Sequence, residues 1–264
     1  MTNFQNLMNG IWYGEISGNT CADIKERILR ASTEQEVLFY LIELFKLGDF
    51  SQKPLLIQLM NHTEDRAVLN HCIRVFCSIA THEDLRDPDH LRFLASVPAD
   101  MVHTFASAVV TSLSLEAVPY LLALLEDWDE VPETSTVLRE AIDAFIDYEE
   151  PLGLGASIEE IGHYYWKYYD ACDTKKYYFN QKLAFPGNLT KKLIERVLIA
   201  ANGQQQLEMQ LIPSLLSIWS GRKVPGEYHT VINEHNYKDF IDYVRELSRG
   251  DWEAGEKYFY GHKL

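Results

Sequence analysis

Five of the nine histidines, His62, His71, His82, His90 and His103, fall within 42 residues, a density that would suit a metal centre if the spacing allowed one. A zinc site carried on helices needs two histidines one turn apart, as in H-E-x-x-H, and a third ligand from elsewhere. His82 is followed by Glu83 and Asp84 but by no histidine four residues on, and His71 beside Cys72 has neither a CxxC nor an HxxxH partner. The four cysteines, Cys21, Cys72, Cys77 and Cys172, are too few and too scattered for a disulfide framework. They read as reduced thiols packed like small hydrophobes. Nucleophile chemistry is equally absent. There is no G-x-S-x-G elbow, and the lone G-x-G, Gly153-Leu154-Gly155, lacks the third glycine and the preceding strand of a phosphate loop. These residues predict no catalytic site, no metal and no cofactor, so the chain reads as a binding protein and not an enzyme.

What does stand out is electrostatic. The 264 residues carry a formal charge of −15, which disfavours nucleic acid and anionic membrane surfaces as partners and favours a basic protein. Residues 126–160 hold twelve carboxylates and a single basic residue, Arg139, so this stretch contributes −11 of the −15. Within it, Glu126, Asp127, Asp129 and Glu130 cluster first. Glu140, Asp143, Asp147 and Glu150 then step by three, four and three, which predicts one ridge opposite the apolar stripe Val137, Leu138, Ala141, Ile142 and Phe145. Like charges at helical spacing repel by about 0.2–0.5 kcal/mol per pair. Such a ridge is either a solvated face that aids solubility or a docking face whose repulsion a basic partner relieves. Directly after it come Tyr164, Tyr165, Trp166 and Tyr168, residue types enriched at interface hot spots. Five near-consecutive rings, with Tyr169, cannot all lie on one side of a helix, so some must be core. The candidate partner-binding residues are therefore Glu126, Asp127, Asp129, Glu130, Glu140, Asp143, Asp147, Glu150, Tyr164, Tyr165, Trp166 and Tyr168.

The elements that must position them are helical almost throughout. Apolar residues recur at helical spacing, and alternating strand patterns are nearly missing. One helix is predicted from Thr33, at the head of a capping-box spacing, to a stop at Gly48. Others are predicted at about 54–61, 64–80, 88–96, 98–113, 115–127, 134–149, 157–171, 190–201, 206–220 and 234–248. Pro88 and Pro98 are read at first helical positions, and Ser157 with Glu160 as a second capping box. The longer helices starting near 64, 98 and 134 recur at 34 and 36 residues, close to the period of paired-helix solenoids. The segment 118–125 (VPYLLALL) has a HEAT-like character, echoed at 212–219. The fold class is all-α: a HEAT-like helical-repeat array, or α-solenoid, over 1–171, a connection at 172–189 with room for a short hairpin, and a C-terminal helical cap at 190–264 packed on the array, the whole expected as one continuous structural unit. A non-repeating helical bundle is the alternative. The longest apolar run, 118–125, falls well short of the roughly 18–20 residues of a spanning helix. Residues 1–10 lack a basic segment followed by an apolar one, so a cytoplasmic protein is expected.

Several segments resemble a bacterial polymorphic-toxin immunity family, the one numbered forty-seven: 37–50 (VLFYLIELFKLGDF), 80–86 (ATHEDLR), 184–190 (AFPGNLT), 211–221 (LIPSLLSIWSG) and 257–261 (KYFYG). They run from about residue 11 to the C-terminus. The resemblance implies a non-catalytic antidote made beside a secreted toxin, which it binds tightly in the producer's cytoplasm. It supplies no catalytic residue and no mapped binding motif. By analogy, a nuclease toxin with a basic cleft would suit an acid-rich inhibitor. Two rivals are a general HEAT-like scaffold with no toxin partner and a helical-repeat enzyme such as a DNA-repair glycosylase, which the missing basic groove disfavours. The sequence leaves the oligomeric state open.

Overall fold

The structure is a computed structural model and describes residues 12–264. Residues 1–10, read above for an export signal, lie outside the described residues. The chain is mostly helical, with α1 (Cys21–Arg30), α2 (Glu34–Lys46), α3 (Lys53–His62), α4 (Arg66–Ile79) and α5 (His82–Arg86) followed by a 3-10 segment (Pro88–Ser96). Then come α6 (Ala99–Val109), α7 (Val118–Trp128), α8 (Pro132–Ile146), α9 (Glu149–Leu152) and α10 (Ile158–Ala171). A hairpin of β1 (Tyr178–Phe179) and β2 (Lys182–Leu183) precedes α11 (Pro186–Gly203), α12 (Leu211–Ser220) and α13 (Tyr237–Leu247). A second hairpin, β3 (Tyr258–Phe259) and β4 (His262–Lys263), ends the chain. Two compact units form, one of Ser51–Ala184 and one in which the residues up to Phe50 join Phe185–Leu264.

In the unit 51–184 the order is a ladder. Helix α4 packs on α6 and α6 on α8, while α3 packs on α4 and α7 on α8. The first residues of the three longer helices, Arg66, Ala99 and Pro132, are 33 residues apart. Each buries a stripe at helical spacing, as in α8, where Val137, Leu138, Ala141, Ile142 and Phe145 are all core. Polar ties recur at nearly the same interval. Asn70 Nδ2 donates to Thr104 Oγ1 at 2.8 Å, His103 Nε2 meets Thr134 Oγ1 at 2.9 Å, and His82 Nδ1 meets Ser114 Oγ at 2.7 Å. Lys53 pairs with Asp84 and Arg86 with Glu116, both at 2.7 Å.

The histidines are thus spent on structure. His62 and His71 bond carbonyls of their own helices, His82 also stacks on Tyr177 with centroids 4.0 Å apart, and His90 Nδ1 meets the Asp84 carbonyl at 3.0 Å. Burial pushes the His103 imidazole below its ordinary range. Among the described residues, no group of three His, Cys, Asp or Glu side chains is placed to hold a metal ion, and no helix is long and apolar enough to cross a membrane.

The other unit is closed by contacts far apart in sequence. Tyr260 stacks on Trp12 with centroids 5.7 Å apart, and its hydroxyl donates to the Gly14 carbonyl at 2.9 Å. Lys46 Nζ sits 5.7 Å above the same ring, 2.6 Å from Glu43 Oε1 and 3.2 Å from the Glu15 carbonyl. These links explain why α1 and α2 group with the C-terminal segment, and not with an array running to residue 171 as the sequence reading has it.

The two hairpins are copies of one motif, 80 residues apart and one in each unit. In both, a tyrosine hydroxyl accepts the N–H five residues before it: Tyr178 from Asp173 at 3.1 Å and Tyr258 from Glu253 at 2.8 Å. In both, a closing N–H, of Ala184 or Leu264, donates to the carbonyl of Tyr177 or Lys257. The turn residues, Asn180–Gln181 and Tyr260–Gly261, all have positive φ, the requirement of a type I′ turn whose twist matches its strands. The hairpin anticipated within 172–189 is the first of these.

Candidate functional site

The acidic segment is built around α8. Its apolar stripe faces the ladder, so Glu140 lies on the solvent side and Asp143 at the margin. The helix starts two residues before the expected Thr134, because Pro132 takes the first turn, where its missing N–H costs nothing. It also ends earlier, at Ile146. Asp147 adopts a left-handed conformation at φ 49°, donating its N–H to the Asp143 carbonyl at 2.7 Å, and Glu150 belongs to α9. The expected single ridge is therefore broken at Asp147: Glu140 and Asp143 share a helix face, whereas Asp147 and Glu150 follow a change of chain direction.

The twelve carboxylates divide by their local roles. Glu133, Glu159 and Glu160 occupy first turns of helices, where the backbone dipole favours negative charge, and Glu160 completes the capping box with Ser157. Asp129 pairs with Arg139 at 3.2 Å and accepts the Ser135 hydroxyl. Asp143 Oδ1 accepts the N–H of Glu149 at 2.9 Å. Glu126 and Asp127 stand in the last turn of α7, the end at which the dipole disfavours anions. Among the described residues, Glu126, Asp127, Glu130, Glu140, Asp143, Asp147, Glu149 and Glu150 form no ion pair. Burial pushes the carboxyls of Glu140, Asp143 and Glu149 above the usual carboxylate range. Neighbouring charge adds to the rise, Glu149 acting on Glu140, Asp147 on Asp143 and Asp143 on Glu149, while the Glu149 N–H opposes it at Asp143 and Arg139 opposes it at Glu149. The one cation of the segment, Arg139, is half-buried and spent on Asp129 and on the Ala156 carbonyl.

The aromatic helix α10 sorts its rings as helical geometry demands. Tyr165 is core, 1% exposed, and its hydroxyl donates to the Leu115 carbonyl at 3.2 Å. It is removed from the candidate contact residues, because it offers a partner no surface. Trp166, one position on, is 56% exposed and leans on Tyr165 and Tyr169 with centroids 4.9 and 5.7 Å away. Tyr164 and Tyr168 are half-buried. Tyr169, also half-buried, donates to Glu116 Oε1 at 2.7 Å, the carboxylate that also holds Arg86. The exposed side of α10 thus presents Glu159, His163, Trp166 and Asp170, a stripe at helical spacing. Two exposed leucines between the acidic and aromatic parts, Leu152 and Leu154, are absent from the sequence-based candidates.

The arrangement presents exposed carboxylates and the exposed ring of Trp166. It can bind. A family model described as "Immunity protein 47" matches residues 7–264, nearly the whole chain. The chain belongs to the immunity protein 47 family. No curated protein and no solved structure matches it. Membership in the immunity protein 47 family implies a toxin as partner and an inhibitor's role, and gives the unpaired acidic face and the exposed Trp166 a reason to be read together.

Proposed function

We propose that the chain is the cytoplasmic antidote to one secreted toxin domain, which it neutralises by stoichiometric, non-catalytic occlusion. The acidic face of the 51–184 unit receives a basic surface of the toxin, such as the phosphate-binding cleft of a nuclease. The observation that carries this reading is the set of eight carboxylates in residues 126–150 that form no ion pair, in a chain of net charge −15. Keeping them together stores repulsion that a basic partner removes. Helices stacked at a 33-residue period, with polar ties between successive layers, support a HEAT-like array as the frame that holds this face rigid.

Association should depend steeply on salt, because steering between exposed charges is screened over about 8–10 Å at physiological ionic strength. With the toxin domain encoded beside the gene, stopped-flow mixing should show k_on falling by roughly 10-fold or more between low salt and about 0.5 M, while k_off changes far less. A k_on that stays flat over that range removes the steering role of the acidic face.

A further inference from the structure

We propose that the turn at residues 153–156 is a docking knob, with Leu154, and Leu152 beside it, seating in an apolar pocket of the toxin domain rimmed by Arg or Lys. The inference rests on the immunity reading and adds the apolar anchor that an acidic face alone lacks. Leu154 is 76% exposed and Leu152 39%. Single exposed leucines are ordinary, but these two stand two residues apart, and burying a leucine side chain against a partner is worth about 1.5–3 kcal/mol.

Leu154 is held out by the structure around it. Leu152 N–H donates to the Tyr148 carbonyl and Gly153 N–H to the Glu149 carbonyl, both at 2.9 Å. Gly153 then turns the chain at φ 85°, a conformation costly for any other residue, and Ala156 N–H closes the turn on the Gly153 carbonyl at 3.2 Å. From α8, Arg139 Nη1 donates to the Ala156 carbonyl at 2.8 Å, and Ser157 begins the capped helix α10 at once. The backbone of so well tied a turn has little ordering left to lose on binding.

The charge around the knob selects its partner. Glu149 and Glu150, which form no ion pair, precede it, and no Lys or Arg occurs between Arg139 and Lys167. A pocket with a neutral or acidic rim would leave these carboxylates unrelieved or repelled, and a basic rim pairs with them. Leu29, the most exposed of the described leucines at 86%, stands on α1 among Lys25, Glu26, Arg27 and Arg30, where mixed charge favours no particular partner.

The test uses the full chain and the toxin domain encoded beside its gene. Leu154→Ala should raise k_off by roughly 10-fold and Leu154→Asp by roughly 100-fold or more, as truncating or charging a buried anchor does. Circular dichroism and the unfolding midpoint should stay unchanged, because the side chain makes its contacts with solvent. Leu154→Ser replaces Leu154→Asp as the deciding variant if the aspartate disturbs the turn, and Leu29→Ser is the control expected to leave k_off as it is. Folded Leu154→Asp or Leu154→Ser that dissociates within twofold of the unaltered chain overturns the knob while leaving the immunity reading in place. Failure of the unaltered chain to bind this domain overturns both.

Discussion

Replacing Lys46 with methionine should cost about 3–5 kcal/mol, the usual penalty for leaving one member of a buried ion pair behind. Lys46 and Glu43 are 3% and 8% exposed and 2.6 Å apart, so the single change strands a carboxylate where water cannot reach it. The lysine has two further roles. Its ammonium group donates to the Glu15 carbonyl at 3.2 Å and lies over the Tyr260 ring, which joins the N-terminal segment, α2 and the last hairpin. For a chain of this size each kcal/mol is worth about 2–4 °C in Tm, so a loss of about 10 °C is expected. The paired change Glu43→Leu with Lys46→Met removes both charges together and should recover much of the loss, because a well-packed apolar pair often matches a buried salt bridge. Urea unfolding of the three chains decides the matter. A Lys46→Met chain within about 1 kcal/mol of the parent would mean that the pair is not the lock described.

The second large effect falls on binding. Glu140→Lys combined with Glu150→Lys should abolish protection against the toxin while leaving helicity intact. Carboxylates buried against a partner's Arg or Lys cost about 2–5 kcal/mol each on truncation, so reversing two should weaken the complex by about 1,000-fold or more. Glu140 and Glu150 suit this test because both are exposed and neither forms an ion pair. Asp143 and Asp147 suit it less: one accepts the Glu149 N–H, and the other forms the left-handed cap of α8, so changing them disturbs the frame as well as the face. A charge-reversed chain with native circular dichroism and full protection would reduce this region to a solubility surface.

How much of this could be read in advance follows from the range of the forces involved. The apolar stripe of α8 is local periodicity, and Val137, Leu138, Ala141, Ile142 and Phe145 are buried as that periodicity requires. The Ser157 box forms as read, since both of its bonds lie within four residues. At Thr33 half the box forms, while the Glu36 carboxylate reaches past it to Ser32. Pro98, read as a first helical residue, is the N-cap of α6, and α1 escapes notice because only Ile24 and Ile28 are buried along it. The break at Asp147 was beyond reach: a left-handed residue is set by where the chain must go next, and the 3-4-3 spacing of the acids continues through it. Long-range closure was equally hidden. Nothing local in Gly14, Lys46 or Tyr260 says that they meet. The second hairpin could have been found, since Tyr258–Phe259 repeats Tyr178–Phe179 in sequence as well as in pairing. Leu154 was visible only as the middle of a failed Gly-x-Gly loop, and its exposure on a tied turn is a property of three dimensions.

The central claim, inhibition by occupancy without chemistry, is tested most directly by titrating a fixed concentration of the adjacent-encoded toxin domain with the purified chain and following residual toxin activity. The account predicts a straight decline to zero at one chain per toxin, with full activity recovered when the complex is separated under denaturing conditions and the toxin refolded. Complete inactivation at a small fraction of an equivalent, or a toxin that stays inactive after separation and refolding, would show turnover and contradict it.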